Sequence, residues 1–384
     1  MKQYLCFLCL ILSAIAGGQG STVRLKDLAV PNSPAFVLVD VSPSVIQHAH
    51  VPKEFVLGIA QSFQNSSNGF PQDYSAQFTP YWWLKPGGRS VYSLLGLATA
   101  KEANKTIVKG EDHFSGLKLV SVSVAFINKD LIPDTSAVNQ KIVSLGVKTT
   151  VFKVYAKNYA TDLATHIDDW HTKALEELNN SEELQAELAR NPEMPEAELK
   201  MKLFKNFDFT KTDKILKRIN KIIQRKPLFS WDIAGAYAHY GIGDSAWRSG
   251  RYGAWTTVSS FLPLDIGGDG NSQHYLGLNL VARYLYDKYQ LAKTGIAESN
   301  TCFDIGGKIT LELDKFSIGV EALHRYNNGE LGDQNRTVGV LNYKMADNLY
   351  LRGAFGKNFN APDKLIALFG ISWGFGTETI KLEE

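Results

Sequence analysis

The sequence predicts an all-β protein, a transmembrane antiparallel up-and-down β-barrel of about 12 strands with a helical insertion. Three observations support this prediction. The chain of 384 residues opens with an apolar run that is typical of exported proteins. Apolar and polar residues alternate in long segments along much of its length. Aromatic residues gather near the ends of these segments, as they do where strands cross the interfaces of a membrane.

The first 20 residues have the layout of a secretory signal peptide. Lys2 precedes the apolar run "YLCFLCLILSAIA", and the small residues of "AGGQGS" follow it. This run is shorter than the roughly 20 apolar residues of a transmembrane helix. We therefore expect residues 1–20 to be removed. Cys6 and Cys9 would leave with them, so the mature chain would keep only Cys302 and form no internal disulfide.

The overall composition is that of a folded protein. Hydrophobic residues make up 44% of the chain and charged residues 21%, which excludes disorder as a global description. The formal net charge of +2 gives no electrostatic reason to expect nucleic acid as a partner.

The stretch "LIALFGISWGFG" near the C-terminus shows the alternation clearly. Phe369, Ile371 and Trp373 fall on one parity and glycine and serine on the other, which is the pattern of a strand with two different faces. The segments "TCFDIGGKITLEL" and "FSIGVEALHR" repeat this pattern on either side of Asp314 and Lys315. They predict a β-hairpin with a tight turn.

Other segments alternate in the same way, among them "QHYLGLNLVARYLYD", "LKLVSVSVAF" and "VSLGVKTTV". About eleven strands can be recognised by this pattern. Single-chain bacterial barrels normally have an even number of strands, so we expect about twelve. The missing strand would lie between Arg89 and Glu111 or before Tyr74.

A soluble β-sandwich would alternate too, but its polar face should carry many long charged side chains. Here that face is dominated by Gly, Ser, Thr, Ala and Asn. The strands are also long for a soluble sheet and suit a tilted crossing of hydrocarbon. Both points favour a membrane barrel, with lipid against its apolar face. The predicted aromatic girdle consists of Trp82, Trp231, Tyr284, Tyr286, Trp373 and Phe375.

These features resemble those of Gram-negative outer-membrane β-barrels. The stretches "NSPAFVLVDVSPSVI", "VPKEFVLGIAQSF" and "LIALFGISWGFG" are similar to uncharacterised porin-like barrels of this kind. The resemblance covers most of the chain and implies a location in the outer membrane, but it implies no particular activity. Such barrels often end on an aromatic residue, whereas here the polar tail "GTETIKLEE" follows Phe375.

The predicted domain organisation follows the chain. Residues 1–20 form the signal peptide, 21–73 an N-terminal periplasmic or plug segment, 74–376 the β-barrel, and 377–384 a polar tail. Charged, helix-favouring sequence interrupts the barrel pattern as a helical insertion at 158–226.

Two placements remain open at this point. Pro52–Phe63 can form one amphipathic helix, which would plug the lumen or lie on the periplasmic rim. Counting strands back from the C-terminus puts the insertion 158–226 on the periplasmic side. Insertions of this length are, however, more often extracellular loops, so both sides stay possible.

The polar face of the predicted strands carries charges of both signs. In a membrane barrel this face points toward the lumen. These charges could line a channel that selects solutes. They could instead form ion pairs that fill and rigidify a narrow barrel, which is the preferred interpretation. The predicted lumen-lining residues are Arg283, Asp304, Lys308, Glu312, Glu321 and Arg325.

The sequence offers little that indicates catalysis. His239 with Asp244 and Ser245 could form a hydrolase site in a loop, but no nucleophile motif frames the serine. His166 and His171 are too far apart along a helix to form the usual i, i+4 metal pair. We expect no catalytic residues, no metal and no cofactor.

The expected function is therefore a non-enzymatic outer-membrane barrel, a channel or transport protein for small solutes or hydrophobic compounds. The alternative is a structural or interaction component that docks a protein partner through the insertion 158–226. A barrel-embedded hydrolase is the third hypothesis. The expected partners are outer-membrane lipid and that protein, and not nucleic acid.

Overall fold

A computed structural model gives the fold. It describes residues 22–24, 32–46, 55–62, 73–82, 92, 95–102, 105–129, 140–204, 207, 212–242, 246–265, 274–291, 297–329, 332–346, 348–359, 365–375 and 379–381. The predicted signal peptide, residues 1–20, lies outside them.

The strands follow one another along the chain as β1 (Thr22–Arg24), β2 (Phe55–Ser62), β3 (Asp73–Phe78), β4 (Leu97–Glu102), β5 (Lys105–Glu111), β6 (Ser121–Lys129), β7 (Gln140–Val154), β8 (Phe229–Ile242), β9 (Ala246–Leu264), β10 (His274–Leu291), β11 (Ala297–Leu313), β12 (Phe316–Asn327), β13 (Gln334–Ala346), β14 (Leu349–Lys357), β15 (Leu365–Phe375) and β16 (Thr379–Lys381). The α-helices are α1 (Pro34–Leu38), α2 (Tyr159–Asn179), α3 (Glu182–Arg190), α4 (Glu196–Phe204) and α5 (Asp213–Ile223). Short 3-10 helices span Pro80–Trp82 and Ser115–Leu119.

Among the described residues, the twelve strands β2, β3 and β6 to β15 form one closed barrel. Each pairs antiparallel with the next barrel strand along the chain, and β15 pairs with β2, with Phe375 opposite Phe55. This confirms the predicted up-and-down barrel and its number of strands. A closed ring leaves no unpaired sheet edge, which hydrocarbon could not solvate.

The prediction of an amphipathic helix over Pro52–Phe63 is wrong, because Phe55–Ser62 is a barrel strand. The barrel therefore begins at Phe55 and not at residue 74, and β2 is the strand missing from the sequence count. Among the described strands, β4 and β5 of the other candidate region pair with each other and not with the barrel.

The outer surface of the barrel is apolar, as the alternation predicts. Large side chains point outward from successive strands: Leu280 is 67% exposed, and Ile309 and Val320 are each 58% exposed. Such a surface is far more apolar than water tolerates on a monomeric protein, and it suits a barrel that spans a membrane. The turn Asp314–Lys315 joins β11 and β12, and its Asp314 has the positive φ of 44° that tight hairpin turns use.

The barrel interior contains a separate segment of the chain, residues 32–46, which we call the plug segment. Every residue of it is buried. Its apolar side chains belong to one cluster with inward-facing residues of the wall. This cluster contains Ala35, Phe36, Val37, Leu38, Val39, Val41, Val45 and Ile46 from the plug segment, and Ala60, Ala125, Ile142, Tyr240, Trp255 and Val281 from the wall.

The helical insertion forms a second compact unit together with the paired strands β1 and β16. In α2, Leu163, Ile167 and Trp170 recur at helical spacing, and each is at most 1% exposed. Ser181 caps α3 by accepting a hydrogen bond from the backbone N–H of Leu184 at 3.2 Å. Among the residues that the structure describes, no helix combines the length and the hydropathy needed to cross a bilayer.

The insertion is connected to one identifiable end of the barrel. The chain leaves the barrel after Val154 and returns at Phe229, and these two residues lie opposite each other. Because successive strands alternate in direction, this is the end at which β2 begins and β15 ends.

Candidate functional site: the barrel interior

The charged residues on the inward face of the strands lie opposite one another on neighbouring strands. The register of β11 and β12 places Asp304 opposite Arg325 and Lys308 opposite Glu321. The register of β10 and β11 places Arg283 opposite Asp304. Asp304 thus accepts hydrogen bonds from Arg283 Nε at 2.8 Å and Arg325 Nε at 2.7 Å. These pairs are buried in the interior and not exposed to lipid.

Asp40 of the plug segment lies at the centre of these charges. Its Oδ1 accepts a hydrogen bond from Arg283 Nη2 at 2.8 Å. Its Oδ2 accepts from Arg251 Nη1 at 3.1 Å and from Arg325 Nη2 at 3.3 Å. We call these three wall arginines the arginine site. One carboxylate on the plug segment therefore joins the strands β9, β10 and β12.

The backbone at Asp40 is also unusual. Its φ is 56°, in the left-handed region that follows the end of α1 and that glycine or asparagine most often occupies at this position. Burial alone would raise the pKa of the Asp40 carboxyl, but Arg283, Arg325 and Arg251 together hold it well below its ordinary value. Asp40 is therefore ionised in the docked segment at neutral pH.

A second carboxylate, Glu321 of β12, holds the end of the plug segment. It accepts hydrogen bonds from Ser44 Oγ at 2.7 Å and from the backbone N–H groups of Val45 at 3.1 Å and Ile46 at 3.2 Å. On the wall, Arg336 Nε donates to the same carboxylate at 3.0 Å. Glu321 thus satisfies two backbone donors that would otherwise be buried without partners.

Wall cations in turn satisfy the carbonyl groups of the plug segment. Arg283 donates to the Val37 carbonyl at 2.9 Å, Arg251 to that of Leu38 at 3.0 Å, Arg336 to that of Pro43 at 2.8 Å, and Lys308 to that of Ile46 at 3.3 Å. These charge-assisted hydrogen bonds let a non-helical stretch lie in a buried position.

A small cavity lies on another side of the plug segment. It is bounded by Phe36 and Pro43 of the segment and by small wall residues. Among the residues that line it, one is a cation and none is a carboxylate. Buried within this lining, Gln77 Oε1 and Ser33 Oγ have no hydrogen-bond partner. The remaining lining residues are Asn32, Ser42, Val56, Gly58, Ile59, Ala60, Ser75, Arg352, Gly370 and Ser372.

All six predicted lumen-lining residues lie inside the barrel, and five of them contact the plug segment or Asp40's arginine partners. Arg283, Arg325, Asp304, Lys308 and Glu321 surround the segment, as described above. Glu312 instead pairs with Lys226 at 2.6 Å, near the barrel end where the chain returns from the insertion.

The predicted aromatic residues lie on the outside of the wall where their side chains are described. Trp231 and Tyr284 are exposed, and Tyr286 stacks on Tyr252 with ring centroids 4.9 Å apart. Trp231 and Trp373 lie near the barrel end that holds the start of β2, and the two tyrosines near the other end. β3 ends at Phe78, so Trp82 lies beyond the strand and belongs to a 3-10 helix. The side chains of Trp82 and Phe375 lie outside the described residues.

The other candidates of the sequence are not brought together. Asp244 and Ser245 lie outside the described residues, and His239 packs against Tyr237 with ring centroids 4.9 Å apart. In α2, His166 Nδ1 lies 2.7 Å from the carbonyl oxygen of Asp162. Within the described part of the chain, no three His, Cys, Asp or Glu side chains are grouped so that they could hold a metal ion.

Sequence reasoning missed Asp40, Arg251, Asp287 and Arg336. Arg251 donates to Asp287 from Nε at 2.8 Å, and this pair extends the arginine site along the wall. The signal for Asp40 was its position as the single charge in the run "AFVLVDVSPSVI". An acidic residue within a run whose other residues are suited to a hydrophobic core indicates a buried carboxylate that is paired with a cation.

No family model matches this chain, and no curated protein matches it. Several solved structures are similar in shape. The NanC porin is 9% identical, with a TM-score of 0.32, over 84% of this chain and 98% of its own. The transport unit of the autotransporter AIDA-I from Escherichia coli is 9% identical, with a TM-score of 0.30, over 90% of this chain and 100% of its own. The Ralstonia pickettii toluene transporter TbuX is 11% identical, with a TM-score of 0.23, over 93% and 98%.

TM-scores of this size carry no information about function. The assignment of the architecture comes from the fold of this chain. A closed antiparallel ring of twelve strands, apolar outside and charged inside, has the construction of an outer-membrane β-barrel.

Proposed function

We propose that this chain is a gated outer-membrane channel for small polar solutes, closed by the plug segment and exported by the leader at residues 1–20. The observation that carries the proposal is that the material filling the lumen is not part of the wall. The plug segment precedes β2 in the chain, and hydrogen bonds, ion pairs and apolar contacts hold it in place.

The wall behind the plug segment supports a polar passage. When the segment moves away, Arg251, Arg283, Lys308, Glu321 and Arg325 line the space that it vacates. Charged side chains need water once their present partners are gone, so this space would hydrate. Apolar wall residues such as Ile142, Trp255 and Val281 lie beside these charges, but a passage that exposes so many charged groups favours polar solutes.

The number of strands supports the same proposal. Barrels of about eight strands are filled by their own side chains, and porins of 16–18 strands leave a wide aqueous channel. A twelve-stranded barrel lies between these sizes. It has room for a segment of chain in its interior, or for a narrow passage once that segment has left.

A reversible tether tests this function. The backbone N–H of Ala35 donates to Ser123 Oγ at 3.2 Å, so cysteines at these positions should form a disulfide that fixes the plug segment to β6. The double variant Ala35→Cys, Ser123→Cys is made together with Cys302→Ser. In planar bilayers we expect single-channel steps from the reduced protein, at least a tenfold loss of open time on oxidation, and recovery with dithiothreitol.

The single variant Ser123→Cys with Cys302→Ser is the control, and oxidation should leave its conductance unchanged. A reduced double variant that gives no steps at any voltage would indicate a closed scaffold. Oxidised channels that conduct as well as reduced ones would show that ions do not pass where the plug segment lies.

A second candidate function is docking of a protein partner through the helical insertion. It is favoured by the separate compactness of this unit and by the charge distribution on its helices. α5 exposes the basic residues Lys214, Lys217 and Arg218 together with Asp213, whereas α2 exposes Asp168 and Asp169 together with Lys173. We place this unit in the periplasm, since the shortest turns of the barrel lie at the same end. Deletion of residues 160–223, which keeps the Lys226–Glu312 pair, should leave the conductance intact and remove a specific partner from the purified complex.

A further inference from the structure

We infer that Arg251, Arg283 and Arg325 form a binding site for a small oxyanion, such as a carboxylate, and that Asp40 occupies this site while the channel is closed. This inference rests on the proposed function and names the class of solute. The plug segment would then close the lumen with a chemical group of the same kind as the solute that the open channel admits.

The wall holds the arginine site in place independently of the plug segment. Asp304 accepts hydrogen bonds from Arg283 Nε at 2.8 Å and from Arg325 Nε at 2.7 Å, and Asp287 accepts one from Arg251 Nε at 2.8 Å. The guanidinium of Arg325 also stacks on the ring of Phe359, 3.7 Å from its centroid. The donors that point at Asp40 therefore remain aimed at the same place when Asp40 leaves.

The charges around the site require an anion. Three guanidinium groups face two wall carboxylates, Asp287 and Asp304, and Asp40 supplies the third negative charge. Departure of the plug segment leaves one positive charge in excess on the wall of a narrow, hydrated lumen, which favours entry of an anion. Guanidinium groups match carboxylate and phosphate oxygens in geometry, and neutral solutes lack the charge.

Competition between Asp40 and the solute follows from this overlap. A ligand that binds only when Asp40 is absent shifts the equilibrium toward the undocked plug segment. The solute anion would thus promote opening of its own channel, whereas a neutral solute of the same size would not.

Chemical rescue of an Asp40→Gly variant tests the inference in the full-length protein. Glycine adopts the positive φ of this position without strain and leaves space where the carboxylate was. We expect a lower melting temperature in detergent than that of the wild type, restored by several degrees with acetate. Acetamide, which is neutral, and sodium chloride at equal ionic strength should have no such effect. The wild type and the Asp40→Asn variant, in which the site is filled, should respond to acetate much less.

Bilayer recordings of the same Asp40→Gly protein test the oxyanion site and the channel function separately. In a potassium chloride gradient its reversal potential should show preference for the anion, and Arg283→Gln should reduce this preference. Channels that conduct but prefer cations, or rescue by acetamide equal to that by acetate, would overturn the oxyanion site and leave the channel function standing. Acetate rescue without any conductance would support the site and overturn the channel.

Discussion

The two sides of the plug segment are built differently. Toward β9 to β13 it is held by buried ion pairs and charge-assisted hydrogen bonds, centred on Asp40 and Glu321. Toward β2, β3, β14 and β15 it faces small residues, such as Gly58 and Gly370, and a small cavity. Ionic contacts on one side and a small cavity without carboxylates on the other suit a segment that is docked mainly through its ionic side.

The largest expected effect comes from removing a charge on the ionic side. Glu321→Gln takes a carboxylate away from Arg336 and from the donors of Ser44, Val45 and Ile46. Breaking a buried ion pair in this way costs about 3 kcal/mol or more. Urea unfolding in detergent should show a loss of that size.

Glu298→Gln is the matched control for this change, since Glu298 is an exposed residue of β11. Its effect should stay within about 0.5 kcal/mol. Equal effects of the two substitutions would mean that the contacts of Glu321 with the plug segment do not stabilise the protein.

A pair of glycine substitutions compares two contacts of the plug segment, a tight one with β7 and a looser one beside the cavity. A Cβ at Gly146 would lie 2.7 Å from the backbone nitrogen of Ala35 in the plug segment, closer than a Cβ atom can approach, so the backbone would have to shift. Gly146→Ala should therefore destabilise the docked segment by about 1–3 kcal/mol. A Cβ at Gly370 would meet Pro43 only at 3.5 Å and the Ile59 carbonyl oxygen at 3.3 Å, beside the cavity.

Gly370→Ala should accordingly change stability by less than about 0.5 kcal/mol. The measurement for both is the melting temperature in one detergent. A larger loss for Gly370→Ala than for Gly146→Ala would contradict this difference in packing.

Low pH should weaken the docking of the plug segment through protonation of Asp40, and this effect should be smaller than those of the substitutions above. The pKa of this carboxyl lies well below its ordinary value of 3.8 because of Arg251, Arg283 and Arg325, and Asp287 and Asp304 are its acidic neighbours. A lowered pKa stabilises the docked state above the ordinary pKa, and that contribution is lost as the pH falls below about 4.

Each pH unit in that range removes up to about 1.4 kcal/mol from docking. The difference in melting temperature between wild type and Asp40→Asn should therefore be constant from pH 5 to 7 and should shrink from pH 4 to 3. A difference that grows on acidification would show that Asp40 is not ionised in the docked segment.

Much of the wall could be predicted from the sequence, because local pattern determines it. The two-residue turn Asp314–Lys315 sets the register of β11 and β12, and with it the pairing of Asp304 with Arg325. Which side chains of these strands face outward and which face inward also follows from alternation alone. The charged residues of the polar face could therefore be predicted to lie in the interior.

The plug segment and β2 could not be predicted in the same way, and for one shared reason. Val56 and Ala60 face the interior yet are apolar, because part of what they face is the plug segment and not water. Strand β2 is thus apolar on both faces, and alternation does not distinguish it from a helix. Asp40 finds its partners more than 200 residues away in the sequence, beyond the reach of any local pattern.

Cysteine labelling at Val37 tests the docked position of the plug segment most directly. Val37 is 0% exposed, so in a Cys302→Ser background the Val37→Cys protein should react very slowly with a membrane-impermeant maleimide, and adding Glu321→Gln should speed labelling at least tenfold. Lys214→Cys, at an exposed position of α5, serves as the accessible control. Rapid labelling of Val37→Cys in the otherwise unaltered protein, equal to that at position 214, would contradict a lumen filled by residues 32–46.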